Sequence, residues 1–194
     1  MLKIKLKLFL QHKLKIINLK IMKKLLVVIA MVAASFTANA QEANGQTAKG
    51  KWLVEGNTGF GAAHEAATGF QLSNRDTPSG STTTWGIGAE AGYFIMNDLA
   101  IKLGLGYNDR GNDDAFSYKI GAKYYISSMI PVQIDYSGAS YDAYDASYLG
   151  FQAGYAIFLG DMVSIEPGLR YNLGLGDTED INTFQFNVGF ALHF

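Results

Sequence analysis

Cysteine is absent from this 194-residue chain, which excludes a disulfide framework, a thiolate metal site and a lipid anchor on cysteine. Proline is scarce, at Pro78, Pro131 and Pro167 only, so little interrupts the extended stretches described below. Histidine is as rare, at His12, His64 and His193, which leaves few candidates for acid–base chemistry. No apolar run reaches the ~20 residues that a spanning helix needs. Acidic residues are missing altogether from the first forty positions.

Those forty positions carry Lys3, Lys5, Lys7, Lys13, Lys15, Lys20, Lys23 and Lys24, then an apolar run over 25–34, then Ala38-Asn39-Ala40. A basic start, a short apolar segment and an A-x-A site spell a secretory signal peptide over 1–40. Met22-Lys23-Lys24 reads as a natural start, which makes 1–21 either an upstream mis-start or an unusually long basic region of the signal peptide. The rival, an amphipathic surface helix, lacks a sustained 3.6-residue period. Removal of 1–40 leaves eight basic residues against 17 acidic ones, a net charge of −9 instead of −1. That balance disfavours a nucleic-acid partner.

After a polar periplasmic lead-in over 41–50, side chains alternate with the period of two that defines a strand. The alternation predicts eight strands, at 51–60, 84–95, 99–107, 115–126, 132–136, 147–159, 163–173 and 183–194. Connections after the second, fourth and sixth are tight; those after the first, third, fifth and seventh are longer and polar. Pro131 falls at a strand start, and Pro167 within a strand predicts a bulge. Even strand number with alternately short and long turns is the pattern of an antiparallel up-and-down transmembrane β-barrel over 51–194.

The two faces of these strands differ in kind. One holds Leu, Ile, Val and Ala, with Trp52, Tyr93, Tyr124 and Tyr155 toward one set of ends and Trp85, Tyr107, Phe116 and Tyr171 toward the other. Two aromatic girdles around an aliphatic band suit a lipid-facing surface. The other face holds Glu55, Glu90, Asp135 and Glu166 with Lys102, Lys119, Lys123 and Arg170, among many glycines. Balanced charges on a small-residue wall suit the interior of an eight-stranded barrel, which side chains just fill.

The last stretch sharpens this. Phe184, Phe186, Val188, Phe190, Leu192 and Phe194 share one face, and the given sequence stops on Phe194. It resembles the closing strand of bacterial outer-membrane β-barrels, and the whole pattern is similar to the OmpX/OmpA-type barrel domain superfamily, in a form found in Bacteroidota. The resemblance implies a Gram-negative outer membrane, contact with lipid and lipopolysaccharide, a monomer, and recognition of Phe194 by the barrel-assembly machinery. It implies no cofactor and no catalytic residue.

Other motifs carry less. Gly86-Ile87-Gly88-Ala89-Glu90-Ala91 matches a dinucleotide fingerprint but lies inside a strand, with no helix opening on it. His64 with Ser73 or Ser117 would be needed for lipid-modifying chemistry, and no spacing supports the pairing. Acids crowd the external loops at Asp109, Asp113, Asp114, Asp142, Asp145, Asp177, Glu179 and Asp180, without EF-hand spacing. The loop over 137–146 mixes Tyr with Ser, Gly and Asp, as binding loops do, so Tyr141 and Tyr144 are candidates for a surface partner; Tyr136 and Tyr148 read as girdle residues. The expected function is a structural or surface-interaction role around a packed polar lumen. A small passive channel is the alternative, and a lipid-modifying enzyme the third reading.

Overall fold

A computed structural model describes residues 45–61, 65–77, 80–111 and 113–194; the signal peptide expected over 1–40, the start of the lead-in and His64 lie outside the described residues. Among the described residues ten strands form: β1 (Trp52–Gly61), β2 (Gln71–Thr77), β3 (Gly80–Met96), β4 (Leu99–Asp109), β5 (Asp114–Ile126), β6 (Ile130–Ser140), β7 (Asp145–Gly154), β8 (Ile157–Phe158), β9 (Val163–Leu175) and β10 (Thr183–His193). Pairing runs β1–β10–β9–β7–β6–β5–β4–β3, all antiparallel, and β1 pairs back onto β3. The sheet therefore closes on itself as an eight-stranded barrel. Two of the ten strands add nothing to the count: β8 continues β7 along β9, and β2 folds over the outer part of β3 as a hairpin that passes the end of β4. Among the described residues no helix is long and apolar enough to cross a membrane.

The faces divide as alternation predicts. Leu103, Leu105, Phe116, Ile120, Leu169 and Phe190 stand exposed on the outside, with Leu105 at 73% and Phe116 at 80%. Rings pair across neighbouring strands on that surface, Trp52 with Tyr93 and Tyr107 with Phe116 among them. All eight predicted inward charges are buried. This is a soluble protein turned inside out: apolar side chains face outward and charges lie in the core, an arrangement stable only where the surroundings are apolar.

Turn chemistry fixes the short ends. Asp98 takes a left-handed backbone between β3 and β4, as do Ser127 and Ser128 between β5 and β6, with φ of 65°, 52° and 58°. The lead-in is more than a linker. A 3₁₀ turn over Gly45–Thr47 places Thr47 in the core, where its hydroxyl donates to Asp98 Oδ1 at 2.6 Å.

Four expectations need correction. The fifth predicted strand, 132–136, extends over Ile130–Ser140, because Ser137 and Ala139 continue the ladder with β5 and β7 despite their weak apolar pattern. The loop expected over 137–146 thus shrinks to 141–144. The predicted loop over 61–83 contains β2 and the start of β3. The bulge expected at Pro167 does not occur: Gly154 faces Gly168 and Ile157 faces Ile165, three residues on in each strand, so register is kept. The ladder instead breaks between β7 and β8. Tyr155 N–H donates to the Pro167 carbonyl at 3.0 Å, and Pro167 has no N–H to return, while Ala156 N–H turns away to Met129. The one slip in the β3–β4 ladder lies between Phe94 and Met96, where no proline marks it.

Candidate functional site

The interior is layered. At the end of the short turns, the one expected to face the periplasm, Leu53, Phe94, Ala100, Tyr125, Ala156 and Ala191 form an apolar tier. His193 joins it, stacked near Phe94 and bonded through Nε2 to the Ser164 hydroxyl at 2.9 Å and through Nδ1 to the Gln46 carbonyl at 3.2 Å. The lead-in thereby closes over this mouth.

Above that tier lie the charges. Lys102 Nζ stands 2.7 Å from Glu55 Oε2 and 2.7 Å from Glu90 Oε2, and donates to Gln133 Oε1 at 2.9 Å. Lys123 bridges Glu55, at 2.7 Å, and Glu166. Lys119 pairs with Glu90 Oε1 at 2.6 Å. Arg170 grips Asp135 with both nitrogens of its fork, at 2.8 and 2.6 Å, and Gln133 Nε2 donates to the same carboxylate at 2.7 Å. Gln133 therefore joins the two halves of one network that contains every charge predicted to face inward. Four acids meet four bases, so burial leaves no net charge to solvate.

The external end is a second apolar tier of Ala66, Ala115, Ala139, Tyr141, Ala146 and Tyr148, with Tyr144 packed against it. Tyr148 is buried in it, not in the outer girdle; it lies one residue from Leu149, which alternation puts outside. Tyr141 is only 6% exposed. Its ring stacks on Tyr144 at 5.2 Å, and its hydroxyl donates to the Glu65 carbonyl at 2.7 Å. The Glu65 carboxylate accepts from Tyr144 at 3.1 Å and pairs with Arg110 at 2.8 Å. Arg110 also bonds the Tyr144 hydroxyl and lies over the Tyr141 ring. Three external loops are thus tied at one carboxylate. Burial pushes the Tyr141 phenol up to about 12; Arg110 opposes that rise and Glu65 adds to it. Tyr144 is pushed up further, by burial and then by Glu65.

Sequence reasoning missed what Glu65 begins. Residues 65–70 turn back into the barrel, with Ala66, Ala67 and Thr68 buried. Thr68 donates to Glu90 Oε1 at 2.8 Å, and the Ala67 carbonyl accepts from Asn108 at 3.0 Å and from Ser117. Period-two reading has no purchase on a segment that is not a strand. The glycines of β3 and β4 were the available signal: a Cβ on Gly88 would meet the Thr68 carbonyl carbon at 2.8 Å, and one on Gly106 the Ala67 oxygen at 2.6 Å. Ser117, a candidate for lipid chemistry, is buried beneath this segment and donates into it. Ser73 lies on β2, apart from it. Among the described residues, the loop acids form no group of metal-holding geometry.

It is the closed wall, apolar outside and ionically paired inside, that defines this chain as a transmembrane β-barrel of eight strands. No protein-family model matches the chain, and no curated protein matches its sequence. Among solved structures it is similar to the N-terminal β-barrel domain of Pseudomonas aeruginosa OprF, at 12% identity over 75% of this chain and 98% of that one, with a TM-score of 0.46. Neisserial surface protein A matches at 14% identity over 74% and 96%, with a TM-score of 0.45. Ail of Yersinia pestis, in a phospholipid bilayer nanodisc, matches at 11% identity over 75% and 100%, with a TM-score of 0.44.

Proposed function

We propose that this protein is an integral outer-membrane barrel whose lumen is closed to ions and whose role at the cell surface is structural or interactive, through its external loops. The observation that carries the reading is the Gln133-joined charge network, which fills the lumen between two apolar tiers. An ion entering would have to part buried pairs at 2.6–2.7 Å. The basic, apolar and A-x-A segments of 1–40 support export with cleavage before Gln41. The Glu65 knot supports a preformed outer surface, since tied loops lose little freedom when a partner docks. Tyr141 and Tyr144 serve that surface by holding it together. Lipopolysaccharide would flank it, and assembly would read Phe194.

Planar-bilayer recording of refolded protein tests the reading. Absence of steady unitary current is expected; large, steady openings would instead establish the passive channel.

A further inference from the structure

The wall is weakest between β1 and β3. Only Trp52, Leu53, Val54 and Glu55 pair there, with Tyr93, Gly92, Ala91 and Glu90. Above that point β3 pairs with β2, and β1 meets a single parallel bridge, Thr58 to Phe70. Two hydrogen bonds make it: Phe70 N–H to the Asn57 carbonyl at 2.6 Å and Gly59 N–H to the Phe70 carbonyl at 3.2 Å. The segment that fills the gap, 65–70, runs from the Glu65 knot down through the lumen and out through the seam.

Apart from Ala66 in the external tier, its holding contacts are polar. Ala66, Ala67, Thr68 and Gly69 bring no large side chain to interlock with the wall, and they lie against glycines. Passage beside β1 requires Gly69 itself, where a Cβ would meet the Asn57 carbonyl oxygen at 2.5 Å. Beneath the segment is a cavity of about 30 Å³, reached by Glu90, Lys119, Arg170, Asn57 and Asn187. Asn57 Oδ1 and Asn187 Oδ1 are buried there without a hydrogen-bond partner among the described residues. A stretch with little apolar burial, beside a polar cavity, opens more readily than the ladders around it.

We propose that residues 65–70 are a removable plug, latched by Glu65, whose withdrawal opens the external half of the lumen down to the charged layer. The periplasmic tier stays shut. An opened plug therefore yields an outward-facing polar pocket and not a pore. The proposal rests on the barrel reading but not on the conductance result, which it leaves unchanged.

The chain's lack of cysteine permits a direct test. Asn187→Cys reports on the cavity, and Ala191→Cys, in the periplasmic tier, is the control. Each is placed in full-length refolded protein and in its Glu65→Gln and Gly106→Ala variants, then exposed to a charged, membrane-impermeant thiol reagent. Glu65→Gln breaks the latch, and Gly106→Ala sets a methyl against the plug backbone. Both are expected to raise labelling at Asn187→Cys about tenfold, while Ala191→Cys stays protected. Unchanged labelling at Asn187→Cys in both variants would overturn the proposal. So would equal labelling at the two reporters, which would mean that the whole barrel loosens.

Discussion

Glu55 and Glu90 stand directly opposite each other at the β1–β3 seam, and one ammonium, that of Lys102, lies 2.7 Å from an oxygen of each. Like charges facing across a ladder repel. The closing contact of the barrel thus depends on a lysine from a third strand. Replacing Lys102 with Met keeps the bulk and removes the charge. It should destabilise the barrel by about 3–5 kcal/mol, because two buried carboxylates are left facing each other. Thermal unfolding in detergent measures this; an unshifted midpoint would refute it.

Arg170 and Asp135 form a two-pronged pair in a tight niche. A Cβ on Gly150 would collide with Arg170 Nη2 and lie 2.6 Å from Asp135 Oδ1. Gly150→Ala should therefore destabilise through the same pair as Arg170→Ala. Lys at position 170 should rescue poorly, since an ammonium cannot reproduce the fork. Near-additive losses in the Gly150→Ala, Arg170→Ala double variant would contradict the coupling.

The external knot has an alkaline limit. A phenol whose folded pKa is raised keeps its contribution below the ordinary tyrosine value, about 10, and loses it as pH rises through the folded value. For Tyr141 that window is 10 to about 12. Ultraviolet phenolate titration should show a component near 12 that Tyr141→Phe removes, and loop proteolysis should accelerate only within that window.

Phe194 does more than end the given sequence. Its carbonyl accepts from Trp52 N–H at 2.6 Å, and its own N–H donates to the Trp52 carbonyl at 3.0 Å, so it joins the last strand to the first. Phe194→Asp keeps both bonds and removes the aromatic ring. If assembly reads that ring, outer-membrane insertion should fall while secretion continues. Deleting Phe194 should lower thermal stability as well, through the two lost bonds. Normal insertion of Phe194→Asp would exclude the recognition role.

Much of the fold was legible because period two needs no knowledge of partners. Each inward charge, from Glu55 on β1 to Arg170 on β9, falls on the face that alternation assigned. Tyr148 was legible too, as the neighbour of Leu149, although its aromatic ring suggested the girdle. Less could be read at Ser137 and Ala139, whose small side chains alternate only weakly, and at Pro167, where a missing N–H broke a ladder without shifting it.

Composition and alternation by themselves determined the closed barrel, its inside and outside, its tight turns and the balance of four acids against four bases. They could do so because side-chain direction along a strand is a local property of the backbone. Only the tertiary structure decided which charges meet, that Gln133 links them, that Tyr141 turns inward to Glu65, and that 65–70 occupies the lumen. Those facts depend on distances between segments far apart in the chain. The glycines that admit the plug look in sequence like any others on a narrow wall.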